Sequence, residues 1–151
     1  MSSIIFNQTF HFVVKNYAFD MLPKAVVEEL FKDGRNFAHF IERWIPITFP
    51  ELKWVTGCKS HDFIDGNGNK YDEKTFTTSS GCKFMPSSMI GTGRSFNQEL
   101  FNEHANKMNY IIIDNIDFPN IKIKFMKGSE LLQRFPNGKI TLVNRDAFFI
   151  D

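Results

Sequence analysis

The sequence has little of what marks a secreted or membrane protein. Only two cysteines occur in 151 residues, Cys58 and Cys82, too few for a disulfide framework. No apolar run approaches membrane-spanning length, and the first residues lack a basic region followed by a long apolar stretch. We therefore expect a soluble, cytoplasmic protein whose cysteines remain thiols.

The chain also lacks an excess of either charge, with 18 Lys and Arg against 17 Asp and Glu. A formal net charge of +1 counts against a non-specific DNA coat protein, although a local basic cleft remains compatible with it. Phe is abundant, with 18 residues, which is enough apolar material for one compact core. We expect a single domain over 1–151, with an N-terminal helical part at about 20–46 and a core at about 50–145.

One stretch in the middle of the chain combines turn residues with carboxylates and a lysine. Gly66-Asn67-Gly68-Asn69 predicts a tight turn, because Gly and Asn tolerate positive φ. Strands should flank this turn, with Asp62 on the incoming one. Side chains alternate along a strand, so the outgoing strand should place Asp72 and Lys74 on one face and Glu73 on the other.

Two nearby carboxylates and an ammonium group suit metal-assisted hydrolysis of a phosphodiester. The carboxylates of Asp62 and Asp72 can hold Mg²⁺, which polarises the phosphate and lowers the pKa of a bound water. Lys74 would orient that water or stabilise the growing charge. The alternative is a surface hairpin with charged residues, since charged pairs are common on exposed strands.

The order of these parts resembles the PD-(D/E)xK nuclease superfamily: an acid, a Gly-rich reversal, then acid-x-Lys on a second strand. In spacing, Asp62-Phe63-Ile64-Asp65-Gly66-Asn67-Gly68-Asn69-Lys70-Tyr71-Asp72-Glu73-Lys74 is similar to the PvuII-type restriction endonucleases. The likeness continues loosely through 110–132 and covers about half of the chain. His61-Asp62 stands where the family usually has Pro-Asp, so Asp62 and Asp65 both remain candidates for the first metal ligand.

The resemblance implies a fold, a cofactor and roles for named residues. The fold is α+β, a restriction-endonuclease-like core with a central mixed β-sheet flanked by helices. The implied cofactor is Mg²⁺, with Asp62 and Asp72 as its ligands and Lys74 as the third catalytic residue. Nucleases of this family often place a helical Glu near the metal, which makes Glu28, Glu29 and Glu42 of interest, although a solvated helix face explains each of them as well.

A polar, Gly-punctuated stretch follows the catalytic strand at Thr78–Arg94 and is expected to be a loop. Ser, Thr, Lys and Arg side chains can contact base edges or phosphates. The candidate DNA-binding residues are Lys83, Ser87, Ser88, Thr92 and Arg94. The stretch 91–94 could seat a phosphate at the start of a helix capped by Ser95, with Gln98 completing a capping box. A flexible surface loop is the alternative.

Periodicity predicts most of the other elements. A helix should begin after Pro23, and a second should run from Arg35 to Trp44, with Pro46 ending it. These helices are candidates for a dimer contact or a cleft wall. Residues 3–19 fit neither a helix nor a strand better.

The C-terminal third reads mainly as strands. Tyr110–Asp114 is continuously apolar and should lie in the middle of the sheet. In the next strand Lys122 and Lys124 share one face, as phosphate contacts or as solvated positions. A last strand is predicted at Lys139–Asn144, and the apolar tail 147–150 should pack on the core or on another subunit.

A zinc site built from Cys58, His61, Cys82 and His104 is conceivable but lacks paired ligand spacing.

The leading functional hypothesis is a Mg²⁺-dependent, sequence-specific double-stranded DNA endonuclease of the type II restriction class, acting as a homodimer. The dimer follows because a chain this small contacts half of a duplex site comfortably. A homing or phage endonuclease and a Holliday junction resolvase of the same fold are alternatives. A catalytically inactive DNA-binding module, or an unrelated domain whose hairpin imitates the motif, represents a different class.

Overall fold

The computed structural model describes residues 1–57 and 60–151. Its strands are β1 (Thr9–Val13), β2 (Lys53–Trp54), β3 (Phe63–Ile64), β4 (Lys70–Thr75), β5 (Cys82–Lys83), β6 (Asn109–Asp114), β7 (Asn120–Lys127) and β8 (Lys139–Ile140). Its α-helices are α1 (Lys24–Lys32), α2 (Gly34–Thr48), α3 (Gln98–Asn106), α4 (Gly128–Arg134) and α5 (Arg145–Phe148). Short 3₁₀ turns occupy Ser87–Met89 and Leu142–Asn144.

Six of the strands form one sheet in the order β1-β7-β6-β4-β3-β2, and β5 pairs with β8 separately. Strands β4 and β6 run parallel, whereas the other neighbours in the large sheet are antiparallel. The fold is therefore α+β with a central mixed sheet, as predicted. β6 lies in the interior of the sheet, which confirms the expectation from its continuous apolar run.

Apolar side chains pack on both faces of the sheet. On one face, Phe37, Ile41 and Ile45 of α2 cover residues from β4, β6 and β7. On the other face, α3, α4 and α5 contribute Phe101, Leu131 and Phe148. Burial on both faces explains why β6 shows no polar alternation.

The C-terminal tail packs against the core, as expected from its apolar composition. Phe148 and Phe149 are buried. The side chain of Asp151 accepts hydrogen bonds from the backbone N–H and the hydroxyl of Thr9 at 2.9 and 2.8 Å. These contacts tie the tail to β1, the strand within the N-terminal stretch for which periodicity gave no answer.

Two helix boundaries differ from prediction. The second helix continues past Pro46 to Thr48, because Ile45 and Phe49 remain buried on its inner face and outweigh the hydrogen bond that proline cannot donate. The third helix begins at Gln98 and not at Ser95, since the Asn97 side chain accepts a hydrogen bond from the N–H of Leu100 at 3.1 Å.

The stretch 78–94 is mainly a loop, as predicted, but it is anchored, because Cys82 and Phe84 are fully buried and β5 pairs with β8. Two further expectations were wrong. The predicted strand at 139–144 ends at Ile140 and turns into a 3₁₀ segment. Lys124 does not face solvent, because it is 3 % exposed and its ammonium donates to the carbonyl oxygen of Phe148 at 2.8 Å.

Within the described residues, no helix has the length and apolar character that crossing a bilayer requires.

Candidate active site

The central hairpin forms around the predicted turn, and Asp65 holds that turn together. One carboxylate oxygen of Asp65 accepts hydrogen bonds from the backbone N–H groups of Asn67 and Asn69, both at 2.9 Å. The other accepts from the Asn69 side chain and the Tyr71 hydroxyl at 3.0 and 3.1 Å. Burial opposes ionisation, but the bonds from Asn69 outweigh it and hold the pKa of Asp65 below its ordinary value. Asp65 therefore acts as a turn-capping residue.

Asp62 lies next to Asp72, at the end of the hairpin that is away from the turn. The backbone N–H of Asp62 donates to the carbonyl oxygen of Tyr71 at 2.9 Å. Its carboxylate accepts from the backbone N–H of Glu73 at 2.8 Å. The carboxyl groups of Asp62 and Asp72 are within hydrogen-bonding reach of each other when one of them carries a proton. Of the two candidate first acids, the structure thus brings Asp62 to Asp72.

Lys74 completes the group that the hairpin motif suggested. Its ammonium nitrogen lies 3.4 Å from Oδ2 of Asp72. The two side chains are only 18 % and 12 % exposed, so water screens this ion pair less than it would a surface pair. Alternation along β4 places both residues on one face, as predicted, while Tyr71 joins the core of the opposite face.

The geometry of the sheet edge explains why this group is accessible. β3 pairs with β4 only at Lys70 and Tyr71 and then leaves the sheet. Beyond that point the edge of β4 borders a groove of about 480 Å³. The groove is lined by Asp62, Asp72 and Lys74 and also by Glu73 and Thr75 from the opposite face. An open sheet edge therefore lets side chains from both faces line one depression.

Two further residues line this groove from the packed helices. His104 of α3 places Nε2 3.9 Å from Oδ2 of Asp72. Glu42 of α2 lines the groove on the side of Glu73. Sequence reasoning considered His104 only as a zinc ligand, and no signal in the sequence indicates that α3 packs against the motif. Of the helical glutamates, Glu28 instead accepts a hydrogen bond from the Tyr17 hydroxyl, and Glu29 lines a different depression.

The carboxyl groups of the site differ in their affinity for protons. Burial raises the pKa of Asp62 to about 7, and the adjacent Asp72 adds to the effect. Burial also opposes ionisation of Asp72, but the neighbouring His104 and Lys74 outweigh it and keep the pKa of Asp72 below its ordinary value. Burial, with the charges of Asp62 and Glu42, raises the pKa of Glu73 well above its usual range. Asp72 is thus the ionised member of the pair, and Asp62 holds a proton up to neutral pH.

Two buried polar atoms beside Asp72 have no hydrogen-bond partner among the described residues: Nε2 of His104 and the hydroxyl of Tyr110. Tyr110 is the cross-strand partner of Asp72 in β6. Buried polar groups without partners are uncommon and often contact water or a bound ligand. Both side chains lie close to the Asp72 carboxylate and interact with its charge.

The donor set of the groove fits a hard divalent cation. Mg²⁺ usually binds one or two carboxylates and completes its shell with water and phosphate oxygens. Asp62 and Asp72 supply two such carboxylates. In the described part of the chain, no three His, Cys, Asp or Glu side chains are grouped as a metal cage. With two protein carboxylates, the other ligands of a Mg²⁺ ion would have to be water or phosphate oxygens.

The zinc alternative finds no support from the same residues. Cys82 is fully buried, and burial raises the pKa of its thiol to about 12, which disfavours the thiolate that binds zinc. Cys58, also named for that site, lies outside the described residues. His61 contacts the hydroxyl of Ser60 through Nδ1 at 2.8 Å.

The candidate DNA-binding residues separate into two groups. Ser87 and Ser88, in the 3₁₀ turn, line the groove beside the carboxylates. Lys83 pairs with Lys139 in the small sheet, and Thr92 is exposed. Hence only the two serines share the groove with the motif.

Arg94 does not form the phosphate seat predicted at 91–94. Its Nη1 donates to the carbonyl oxygens of Ser87 and Ile90 at 2.8 and 3.2 Å, so the guanidinium is hydrogen-bonded within its own loop. The stretch 91–94 does not open a helix as predicted, because α3 begins later, at Gln98.

Comparison of the chain with models of protein families, with curated proteins and with solved structures finds no match.

Proposed function

We propose that this protein is a Mg²⁺-dependent DNA endonuclease with a PD-(D/E)xK type of active site and a restriction-endonuclease-like core. One observation carries the proposal. Asp62 and Asp72 adjoin each other in an open groove, with the Lys74 ammonium 3.4 Å from Asp72. Two carboxylates and an ammonium group suit metal-assisted hydrolysis of a phosphodiester. Pairing of β3 with β4 holds Asp62, just before β3, close to Asp72 and Lys74 on β4.

Each of the three side chains has a distinct task in this proposal. Asp62 and Asp72 would hold the cation, which when bound supplies charge stabilisation at the phosphate and lowers the pKa of a bound water. Ionised Asp72 keeps the Lys74 ammonium within the groove, where it can donate a hydrogen bond to the attacking water or to a phosphate oxygen. The hydrogen bond from Glu73 N–H holds the Asp62 carboxyl group toward its partner.

We further propose that the enzyme acts as a homodimer on double-stranded DNA. The segment leading into α1 and α1 itself expose large apolar side chains, including Phe19, Leu22 and Leu30 at 70 %, 42 % and 45 %. Contiguous exposed apolar side chains often mark protein interfaces. A two-fold dimer would present two such grooves, one for each strand of a duplex.

Cleavage of closed circular plasmid DNA in Mg²⁺ tests the proposal. We expect wild type to produce nicked and linear DNA. Asp72→Asn and Lys74→Gln should each lower the rate by about 10²–10³-fold, as removal of one transition-state contact does elsewhere. Glu103→Gln is the matched control, because Glu103 is exposed on α3 and is not part of the groove lining. Unchanged cleavage by both site variants would refute the assignment.

Sequencing of the fragment ends separates the remaining possibilities. Discrete ends are expected for a restriction or homing enzyme, whereas scattered ends would favour a resolvase-like or non-specific activity. A gel shift of DNA by wild type without any product in Mg²⁺ or Mn²⁺ would identify a binding module and contradict the nuclease proposal.

A further inference from the structure

A second groove, of about 470 Å³, lies beside the candidate active site. The two depressions share Ser60 and His104 in their linings. A polymer that enters the catalytic groove can therefore continue into the second one. We call this second depression the lysine groove, after Lys70, Lys107 and Lys127, which line it.

The lysine groove is strongly positive, although the chain as a whole is nearly neutral. Its three lysines are exposed, and none of them forms an ion pair with a carboxylate among the described residues. No Asp or Glu belongs to its described lining, which otherwise consists mainly of Asn and Ser side chains. The 17 acidic residues of the chain are thus placed elsewhere. Such a surface is complementary to a polyanion.

The fold brings the three lysines to one end of the sheet. Lys70 opens β4, Lys107 lies two residues before β6 at the end of α3, and Lys127 ends the antiparallel β7. Lys127 pairs with Asn109, which in turn pairs with Tyr71 of β4. The three positions therefore lie on neighbouring strands.

A close backbone approach fixes this end of the sheet. The N–H of Gly128 donates to the carbonyl oxygen of Met108 at 2.8 Å. A Cβ added to Gly128 would lie only 1.8 Å from the carbonyl oxygen of Ala105. The turn after α3 and the start of α4 are thus held together, and Lys107 and Lys127 with them.

The alignment of β4 links the lysine groove to the candidate catalytic group. Lys70, Asp72 and Lys74 occupy alternate positions and so share one face of the strand. Two residues along a strand span about 7 Å, so the backbone of Lys70 is about that far from the backbone of Asp72. A phosphate chain with one phosphate at Asp72 would extend along this face.

We propose that the lysine groove binds the backbone phosphates of the DNA strand on one side of the scissile phosphate. This inference rests on the proposed function and adds the path that the DNA strand takes across the protein. Because contacts to phosphates carry no sequence information, Lys70, Lys107 and Lys127 would set the register and affinity of the bound strand, independently of base recognition.

The salt dependence of DNA binding tests the lysine groove. The probe is a short fluorescein-labelled duplex of arbitrary sequence, with EDTA present so that no cleavage occurs. Each lysine that contacts a phosphate should contribute about 0.9 to the slope of log K against log salt. The variant K70Q/K107Q/K127Q should therefore lose up to about 2.7 of that slope and bind on the order of 10²-fold more weakly at about 0.1 M salt.

The matched control is K53Q/K122Q/K139Q, which removes three lysines that line neither groove and lie outside α1 and the segment leading into it. Both triple variants change the formal net charge from +1 to −2, since 1 − 3 = −2. The control should keep the wild-type slope and bind within about threefold of wild type, because only local contacts release counterions. K70R/K107R/K127R should retain binding, since it preserves the charges.

The outcomes separate this inference from the nuclease proposal. A lowered slope in K70Q/K107Q/K127Q alone supports the lysine groove, even if wild type cleaves nothing and the nuclease proposal fails. Equal slopes in the two triple variants would overturn the lysine groove, even if wild type cuts DNA and the Asp72 variant does not.

Discussion

Replacement of Asp62 by Asn should stabilise the protein while it abolishes cleavage. Burial and Asp72 raise the pKa of Asp62 from 3.8 to about 7. An acid with a raised pKa binds its proton more tightly in the folded state, so wild-type stability falls as pH rises through this range. Asn has nearly the shape of the protonated acid but cannot ionise, so the Asp62→Asn variant does not lose stability as pH rises.

The size of the effect follows from the shift. About three pKa units at 1.36 kcal/mol each give roughly 4 kcal/mol as an upper value. Asp62 retains partial contact with solvent, so we halve this and expect about 2 kcal/mol at about pH 8. In a chain of this length, 1 kcal/mol moves Tm by about 2–4 °C, so Asp62→Asn should melt about 4–8 °C above wild type.

Thermal melts in EDTA across pH provide the assay. The difference between Asp62→Asn and wild type should be near zero at about pH 4 and reach its full size above about pH 7, because the loss occurs between the unfolded and folded pKa. Asp65→Asn is the contrasting variant and should melt below wild type, since it weakens the turn. An Asp62→Asn protein that melts at or below wild type at about pH 8 would refute the reasoning.

Two other substitutions test the fold that positions the site. Gly128→Ala should destabilise the protein by about 3 kcal/mol or more, because its Cβ would overlap the Ala105 carbonyl oxygen. Gly66→Ala is the control, because a Cβ at Gly66 would have nothing within 4 Å. Urea denaturation midpoints measure both effects, and similar midpoints for the two variants would contradict the close approach. Lys124→Ala should lower stability by about 2–4 kcal/mol by leaving the Phe148 carbonyl without its donor, while Lys122→Ala should change it by less than about 1 kcal/mol. Equal unfolding midpoints for the two lysine variants would contradict the burial of Lys124.

Local signals in the sequence sufficed for the hairpin and the interior strand. The Gly-Asn turn and the alternation of β4 depend on residues close together in the chain. Local signals could not decide between Asp62 and Asp65 as the partner of Asp72, because both acids lie close to the same turn. In the folded protein the Asp65 carboxylate accepts hydrogen bonds from the backbone N–H groups of the turn, whereas Asp62 contacts Asp72.

Tertiary packing explains the expectations that were wrong. Ser95 and Asn97 are both good capping residues, and packing of α3 selects the second. Lys124 alternates like a solvent-facing residue, yet the C-terminal tail covers it. His104 enters the groove because α3 packs against β4 and β6, a contact that no periodicity predicts.

The lysine groove illustrates the same limit. Lys70, Lys107 and Lys127 are separated by 20 residues or more in the sequence and belong to no common motif. They meet because β4 and β6 begin at the end of the sheet where β7 finishes. Net charge gave no indication of such a surface, since it sums charges over the whole chain.

The central claim is that Asp62 and Asp72 together bind a divalent cation. Calorimetric titration with Mn²⁺ at about pH 7, in two buffers of different ionisation enthalpy, measures both the binding and the protons released. We predict saturable binding by wild type, with release of a proton from the carboxyl pair, and its loss in Asp72→Asn. Equal binding by wild type and Asp72→Asn, or no saturable binding by wild type, would contradict the claim.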